Sequence, residues 1–190
     1  MINFVKTKLL LFLLLMNSTY CIAQFKTNAP LNKNIIGINT SYHFLPDRGP
    51  FMIGASYERG FTRHSGIEAG AYHHSANTYT QFYVTSQLQY NIAARLRYIN
   101  IPVFYKYYSG IVNVAAGPAI NILTGWKQTG SSEAKVTKVK ESPRLGYQIK
   151  VGKTFELSNG FILEPEARYL NLSFSSDPFI GVGIGIKRRL

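Results

Sequence analysis

Beyond residue 24 the chain carries no helical stripe. Its apolar and polar residues alternate with a period of two, the spacing of strands whose faces meet different surroundings. In NIIGINTSYHF, Ile36, Ile38, Thr40, Tyr42 and Phe44 share one face, and Gly37, Asn39, Ser41 and His43 the other. FMIGASYE sets Phe51, Ile53, Ala55 and Tyr57 against Met52, Gly54, Ser56 and Glu58. GIEAGAYH sets Ile67, Ala69 and Ala71 against Glu68, Gly70 and Tyr72. Towards the C-terminus, RLGYQIKVGKTF places Leu145, Tyr147, Ile149 and Val151 opposite Gly146, Gln148, Lys150 and Gly152. FILEPEARYL places Phe161, Leu163, Pro165, Ala167 and Tyr169 opposite Ile162, Glu164, Glu166 and Arg168. FIGVGIGIKRRL places Ile180, Val182, Ile184 and Ile186 opposite Gly181, Gly183, Gly185 and Lys187.

The remaining apolar stretch, residues 101–122, has the length of a membrane helix and a single charge, Lys106. A helix would enclose Pro102 and Pro118, each costing about 3 kcal/mol in a helix interior. Alternation resolves the stretch into two strands instead. Ile99, Ile101, Val103, Tyr105 and Tyr107 oppose Asn100, Pro102, Phe104 and Lys106, and after Ser109–Gly110 the set Val112, Val114, Ala116, Pro118, Ile120, Ile122 opposes Asn113, Ala115, Gly117, Ala119 and Asn121. A two-residue turn at 109–110 pairs Lys106 with Asn113 and Pro102 with Gly117, which puts both polar faces on one side. Each proline lacks a ladder donor, so a bulge or a missing bond is expected near Pro102 or Pro118. The total is eight strands of about ten residues, the length that crosses a bilayer as a tilted strand.

The links between strands predict how they close. Those at 59–65, 109–110 and 157–160 are short, whereas 75–94 and 126–143 are long. Short turns at one end and long loops at the other fit an eight-stranded antiparallel up-and-down transmembrane β-barrel. TQFYVTSQLQY still alternates within the first long link, so that hairpin is expected to extend beyond the membrane. The apolar face then points to lipid, and the small or polar face fills the narrow interior. That interior collects Glu58, Glu68, Lys106, Lys150, Glu164, Glu166 and Arg168 as a structural polar network, with Lys150 expected opposite Glu166 and Gln148 opposite Arg168. Tyr57, Tyr105, Tyr107 and Tyr169, near strand ends, suit an interfacial belt. The alternative is a soluble exported barrel of lipocalin type with its faces reversed, binding an apolar ligand. Its exterior would be richer in Lys, Glu and Thr and poorer in Gly.

Composition adds the route and the charge. Only 16% of the 190 residues are charged, against about 25% in ordinary domains. MINFVKTKLLLFLLLMNSTYCIAQ has a basic head (Lys6, Lys8), an apolar centre too short to span, and a small residue before a cut after Ala23. We read residues 1–23 as a signal peptide and 24–190 as the barrel domain of a cell outer-membrane protein. A lipoprotein reading of Cys21 would need a small residue where Tyr20 stands. If Cys21 leaves with the leader, the mature chain has no cysteine and relies on no disulfide. Removing two lysines leaves 19 basic against 9 acidic residues, a net charge near +10. On an exported protein that charge points to outer-membrane lipid and lipopolysaccharide rather than nucleic acid, or simply aids solubility.

YINIPVFYKYY followed by VNVAAGPAINIL resembles the strand–turn–strand signature of the PorT-like outer-membrane β-barrel proteins of Bacteroidetes. YERGFTRHSGIEAGAYHH is similar to the preceding segment of that family, and LEPEARY to its penultimate strand. The resemblance covers most of the mature chain and implies an OmpA-like eight-stranded barrel in the outer membrane; it implies no activity. One departure is the end, IKRRL, where Leu190 stands at the outward position that an aromatic residue usually holds in this class.

Few residues suggest chemistry. The chain has no phosphate-binding loop, dinucleotide fingerprint, HExxH or cysteine-based metal motif, and no cofactor is expected. His73 and His74 are adjacent on a strand and face opposite ways, which argues against shared metal ligation. His43 or His74 with Ser173 or Ser175 is the set that a lipid-modifying enzyme would use; nothing in the sequence fixes its geometry. Glu164, Glu166 and Arg168 read as salt bridges rather than catalytic carboxylates. In KQTGSSEAKVTKVKESPR, Lys127, Lys135, Lys138 and Lys140 are candidates for lipopolysaccharide contact if the loop faces outward, or form a solvated loop. The expected role is therefore non-enzymatic: structural, adhesive or binding another envelope protein through the loops. An eight-stranded barrel leaves no open aqueous channel.

Overall fold

The computed structural model describes residues 33–44, 51–85, 88–129, 143–172 and 178–190. The proposed leader, Lys135, Lys138, Lys140, Ser173 and Ser175 lie outside the described residues. The strands are β1 (Asn34–His43), β2 (Phe51–Gly60), β3 (Ser65–Thr85), β4 (Leu88–Tyr108), β5 (Asn113–Gln128), β6 (Arg144–Gly152), β7 (Phe155–Glu156), β8 (Phe161–Leu172) and β9 (Phe179–Arg189). Each pairs antiparallel with its sequence neighbour, except that β6 pairs with β8 and β7 is a two-residue addition to β8. β1 closes the wall against β9, from Ile35↔Arg189 to His43↔Gly181. The result is a closed eight-stranded antiparallel β-barrel.

Its faces follow the alternation of the sequence. Among the described residues the buried set holds 18 polar or charged residues against 13 apolar ones. Ile36, Ile38, Tyr42, Ile53, Ile101, Tyr105, Ile149 and Ile184 stand exposed on the outer wall. A soluble barrel has these proportions reversed, because burying apolar surface is what stabilises it in water.

The turns differ from the sequence expectation in length. Residues 109–112 form a four-residue turn, in which Ser109 Oγ accepts from the amides of Ile111 (3.2 Å) and Val112 (3.0 Å) and donates to the Val112 carbonyl (2.6 Å). That side-chain cap satisfies amides a two-residue turn would not contain. The register therefore slides by two: Lys106 pairs with Ala115 and Pro102 with Ala119. The same offset recurs between β6 and β8, where Lys150 faces Arg168 and Gly152 faces Glu166. A shift of two keeps every side chain on its own face, whereas a shift of one would invert the wall. At 157–160 the turn rests on Asn159 (φ 60°) and Gly160 (φ 76°), the left-handed pair that short hairpins favour.

The links expected at 75–94 and 126–143 are partly strand. β3 and β4 run 21 residues each and pair up to Thr85↔Leu88, and β5 continues to Gln128. Among the described residues, β3, β4 and β5 alone rise this far above the rim, since β2 stops pairing at Met52↔His74 and β6 at Asn121↔Arg144. Around the prolines the ladder is interrupted without a bulge. Pairing of β4 with β5 stops at Pro102↔Ala119 and resumes at Tyr105↔Ala116. Gly117 sits in this gap, and a methyl group there would overlap the Val103 carbonyl oxygen. Gly117→Ala is expected to destabilise the barrel by about 1–3 kcal/mol through backbone displacement, read as a lower urea midpoint in micelles.

Candidate functional site in the barrel lumen

The inward positions of β2, β3, β4, β6, β8 and β9 converge on one cluster. All seven residues expected inside are there: Glu58, Glu68, Lys106, Lys150, Glu164, Glu166 and Arg168 are buried. Lys187 of β9 joins them, which makes four carboxylates and four cations. Equal numbers matter, because a surplus charge in a narrow, water-poor lumen would keep its full desolvation cost.

The register explains why the charges interlock. Glu58 and Glu68 lie directly opposite each other on β2 and β3, a like-charged pair that is unfavourable alone. Two cations bridge them, Lys187 of β9 and Lys106 of β4, from strands on either side of the β2–β3 pair. Lys187 Nζ lies 2.8 Å from Glu58 and 3.1 Å from Glu68, and Lys106 Nζ lies 2.9 Å and 3.6 Å from the same two carboxylates. Both lysines also reach Glu164, at 2.9 Å and 2.8 Å. The mirror case is Lys150 opposite Arg168 on β6 and β8. Glu166 bridges these two, pairing with Arg168 and lying 3.4 Å from Lys150, which is also 2.6 Å from Glu68. Arg168 further stacks its guanidinium 4.8 Å from the Tyr72 ring centre.

Smaller groups complete the filling. Tyr108 donates its hydroxyl to Glu58 below the cluster, and a cavity of about 10 Å³ beside them has room for a single water. Gln148 donates to Asn100, which donates to Asn121 at 2.6 Å, forming an amide layer above it. Nearest the long-loop end, His43 and His74 pack edge-on, with ring centres 6.1 Å apart, around Phe179. β9 leaves space for this crowd through its glycines: a methyl on Gly183 would stand 2.8 Å from Ser41 Cβ and 3.3 Å from Glu166 Oε1.

The lumen thus offers charge compensation and steric filling. His73 faces outward and His74 inward, as adjacent strand residues must. His43 Nε2 lies 3.1 Å from Ser41 Oγ, with both residues sealed inside the wall. Among the described residues no group of three or more His, Cys, Asp or Glu is placed to hold a metal ion.

Lys187 and Tyr108 are the network members that the sequence reading did not assign to it. Lys187 had the right alternation, but its partners on β2, β3 and β8 are remote in sequence. Tyr108 closes the expected strand with the inward parity of Lys106, but a tyrosine beside the turn carries no sign of a buried carboxylate partner. Lys127, expected in a loop, is instead an exposed residue of β5 near the long-loop end.

No protein-family model and no curated protein matches the chain. Similarity appears at the level of solved structures. The outer membrane protein OprG of Pseudomonas aeruginosa superposes with a TM-score of 0.58 at 13% identity, over 86% of this chain and 99% of that one. The N-terminal β-barrel domain of OprF from the same organism superposes with a TM-score of 0.52 at 11% identity, over 84% and 98%. The chain therefore has the fold of these outer-membrane barrels, closed by eight strands and plugged by its own ion pairs.

Proposed function

We propose that the protein is an outer-membrane β-barrel without catalytic activity, exported by a signal peptide at residues 1–23. It serves envelope integrity, adhesion or the binding of another envelope protein through the loops at its long-loop end. The observation that carries this reading is the inversion of the wall, with isoleucines outside and eight paired charges inside. Exposed aromatics at two levels support it. Tyr57, Phe61, Tyr105, Tyr107 and Phe161 ring the short-turn end, and Tyr42, Phe44, Phe51 and Tyr147 the other. The charged lumen leaves no place for the apolar ligand of a lipocalin-like barrel, and its plug argues against a general pore. Within outer-membrane barrels, we place the chain with the PorT-like proteins of Bacteroidetes on the motifs of β4–β5 and β8. Lipopolysaccharide is the partner that best fits the basic residues of the long-loop end.

The test is electrophoretic mobility of the protein from detergent-solubilised membranes. Unboiled samples are expected to run at a different position from boiled ones, since a barrel closed by β1–β9 and β6–β8 resists SDS until heated. Full extraction into buffer with no heat-dependent shift would remove the membrane reading.

A further inference from the structure

The outer wall over β9, β1, β2 and β3 is indented by an open apolar groove of about 690 Å³, a volume typical of ligand sites. The indentation is written in side-chain size. The outward residues of β1 and β9 along it are Ile36, Ile38 and Ile186, whereas β2 and β3 contribute Ala55 and Ala69. Ala55 lies opposite Ile38, and Ala69 opposite Tyr57, so large outward side chains border a floor of methyl groups. Towards the short-turn end the lining finishes on Tyr57, Phe161 and Arg188. The Arg188 guanidinium lies 5.6 Å from the Phe161 ring centre, a stacking contact that sets it at the groove's edge.

The chemistry of that end decides what fits. Arg188 lies opposite Ile36, and Arg59 lies opposite Asn34, one outward position nearer the short turns. Two exposed arginines therefore flank β1 diagonally. The Tyr57 hydroxyl donates to Asn34 Oδ1 at 2.8 Å, which leaves the Asn34 amide nitrogen as a donor between them. Among the described residues the short-turn end holds six cations, Lys33, Arg59, Arg63, Lys153, Arg188 and Arg189, against one side-chain carboxylate, Glu156, which pairs with Arg189. In the other direction the groove is apolar. Ala55 lies four residues from Arg59, about 13 Å along the strand, which is the span of an acyl segment. A free anion would leave that length empty, and an uncharged lipid would leave the arginines unused. An amphiphile with an anionic head satisfies both.

We infer that this groove binds an anionic phospholipid of the leaflet at the short-turn end, its phosphate between Arg59 and Arg188 and one acyl chain along Ile36, Ile38 and Ala55. The site rests on the membrane reading given above and adds a ligand class to it. Arginine suits the head, since its planar fork donates paired, charge-assisted bonds to phosphate oxygens. The recess suits the chain, since a chain lying between Ile38 and Tyr57 over the two alanines gains more dispersion contacts than one lying on a flat wall.

The experiment is native mass spectrometry of the full-length mature protein refolded in zwitterionic micelles. The probes are phosphatidylglycerol, phosphatidylcholine with the same acyl chains, and glycerol phosphate. Phosphatidylglycerol is expected to be retained about tenfold more than phosphatidylcholine, and the variant Arg59→Gln/Arg188→Gln to abolish that preference. Ala55→Leu and Ala69→Leu fill the groove without touching the arginines, and each is expected to lower phosphatidylglycerol retention about threefold. Arg97→Gln/Lys127→Gln, exposed at the opposite end, is expected to bind like the wild type. Equal retention of the two lipids, or an unchanged preference in the Arg59→Gln/Arg188→Gln variant, overturns the site. Undiminished retention in both leucine variants overturns the groove as the seat of the chain. Retention of glycerol phosphate as strong as that of the lipid overturns the lipid assignment. The heat-dependent gel shift is read on the same samples: its absence in the wild-type protein defeats the membrane reading and this one together, whereas a normal shift without lipid preference defeats this one alone.

Discussion

Lys187→Met is expected to destabilise the barrel by about 3–5 kcal/mol, the usual cost of leaving buried charges unpaired. Lys187 Nζ contacts Glu58 at 2.8 Å, Glu164 at 2.9 Å and Glu68 at 3.1 Å. Methionine fills nearly the same volume, so the change removes charge and leaves packing close to intact. Three carboxylates would then share Lys106 and Lys150, with Glu58 still directly opposite Glu68. Urea unfolding in micelles reads the effect, followed by the shift in gel mobility. Adding Glu58→Gln to Lys187→Met restores charge balance and relieves the Glu58–Glu68 opposition, so the double variant is expected to regain part of the loss. A loss below about 1 kcal/mol in the single variant would mean that the lumen is solvated and the charges act like surface pairs.

Ile38→Arg is expected to cost about 2–4 kcal/mol in a bilayer, the penalty for a cation on the lipid face near the midplane of an outer-membrane barrel. Ile38 is 63% exposed, between Ala55 on β2 and Ile186 on β9. In water so exposed a position would tolerate arginine to within about 0.5 kcal/mol. The same substitution therefore gives opposite answers for a lipid-facing and a water-facing wall. Folding yield in phosphatidylcholine vesicles, compared with that of Ile38→Ala, measures the difference. An Ile38→Arg protein that inserts and resists urea like the wild type would overturn the lipid-facing assignment of β1.

The two substitutions probe features that were legible to different degrees. The outward face of Ile38 follows from Ile36, Ile38 and Tyr42 alone, because side-chain direction in a strand depends only on residue parity. The same parity placed Glu58, Glu68, Lys106, Lys150, Glu164, Glu166 and Arg168 inside without any knowledge of register. Pairings were less accessible. The β4–β5 and β6–β8 hairpins both slide by two residues from the pairing their sequences suggest, since turn length depends on local bonds such as those of Ser109 Oγ with Ile111 and Val112. Lys150 thus came to face Arg168, and the bridge through Glu166 replaced the expected direct opposition.

Taken alone, the sequence determined the strand count, the two faces of the wall, the prolines as the place where the β4–β5 ladder breaks, and a lumen rich in charge. Those are local properties, written in alternation with period two and in the missing amide of proline. Only the tertiary structure decided that Glu58 and Glu68 oppose each other, that Lys187 from the last strand bridges them, and that a bulge at Thr124 in the β4–β5 ladder turns Lys127 outward beside Arg95. The physical reason is barrel closure: bending β1 round to β9 and β6 to β8 brings residues more than a hundred positions apart within ion-pair distance, and a one-residue irregularity in a ladder is set by the neighbouring strand rather than by the strand's own sequence.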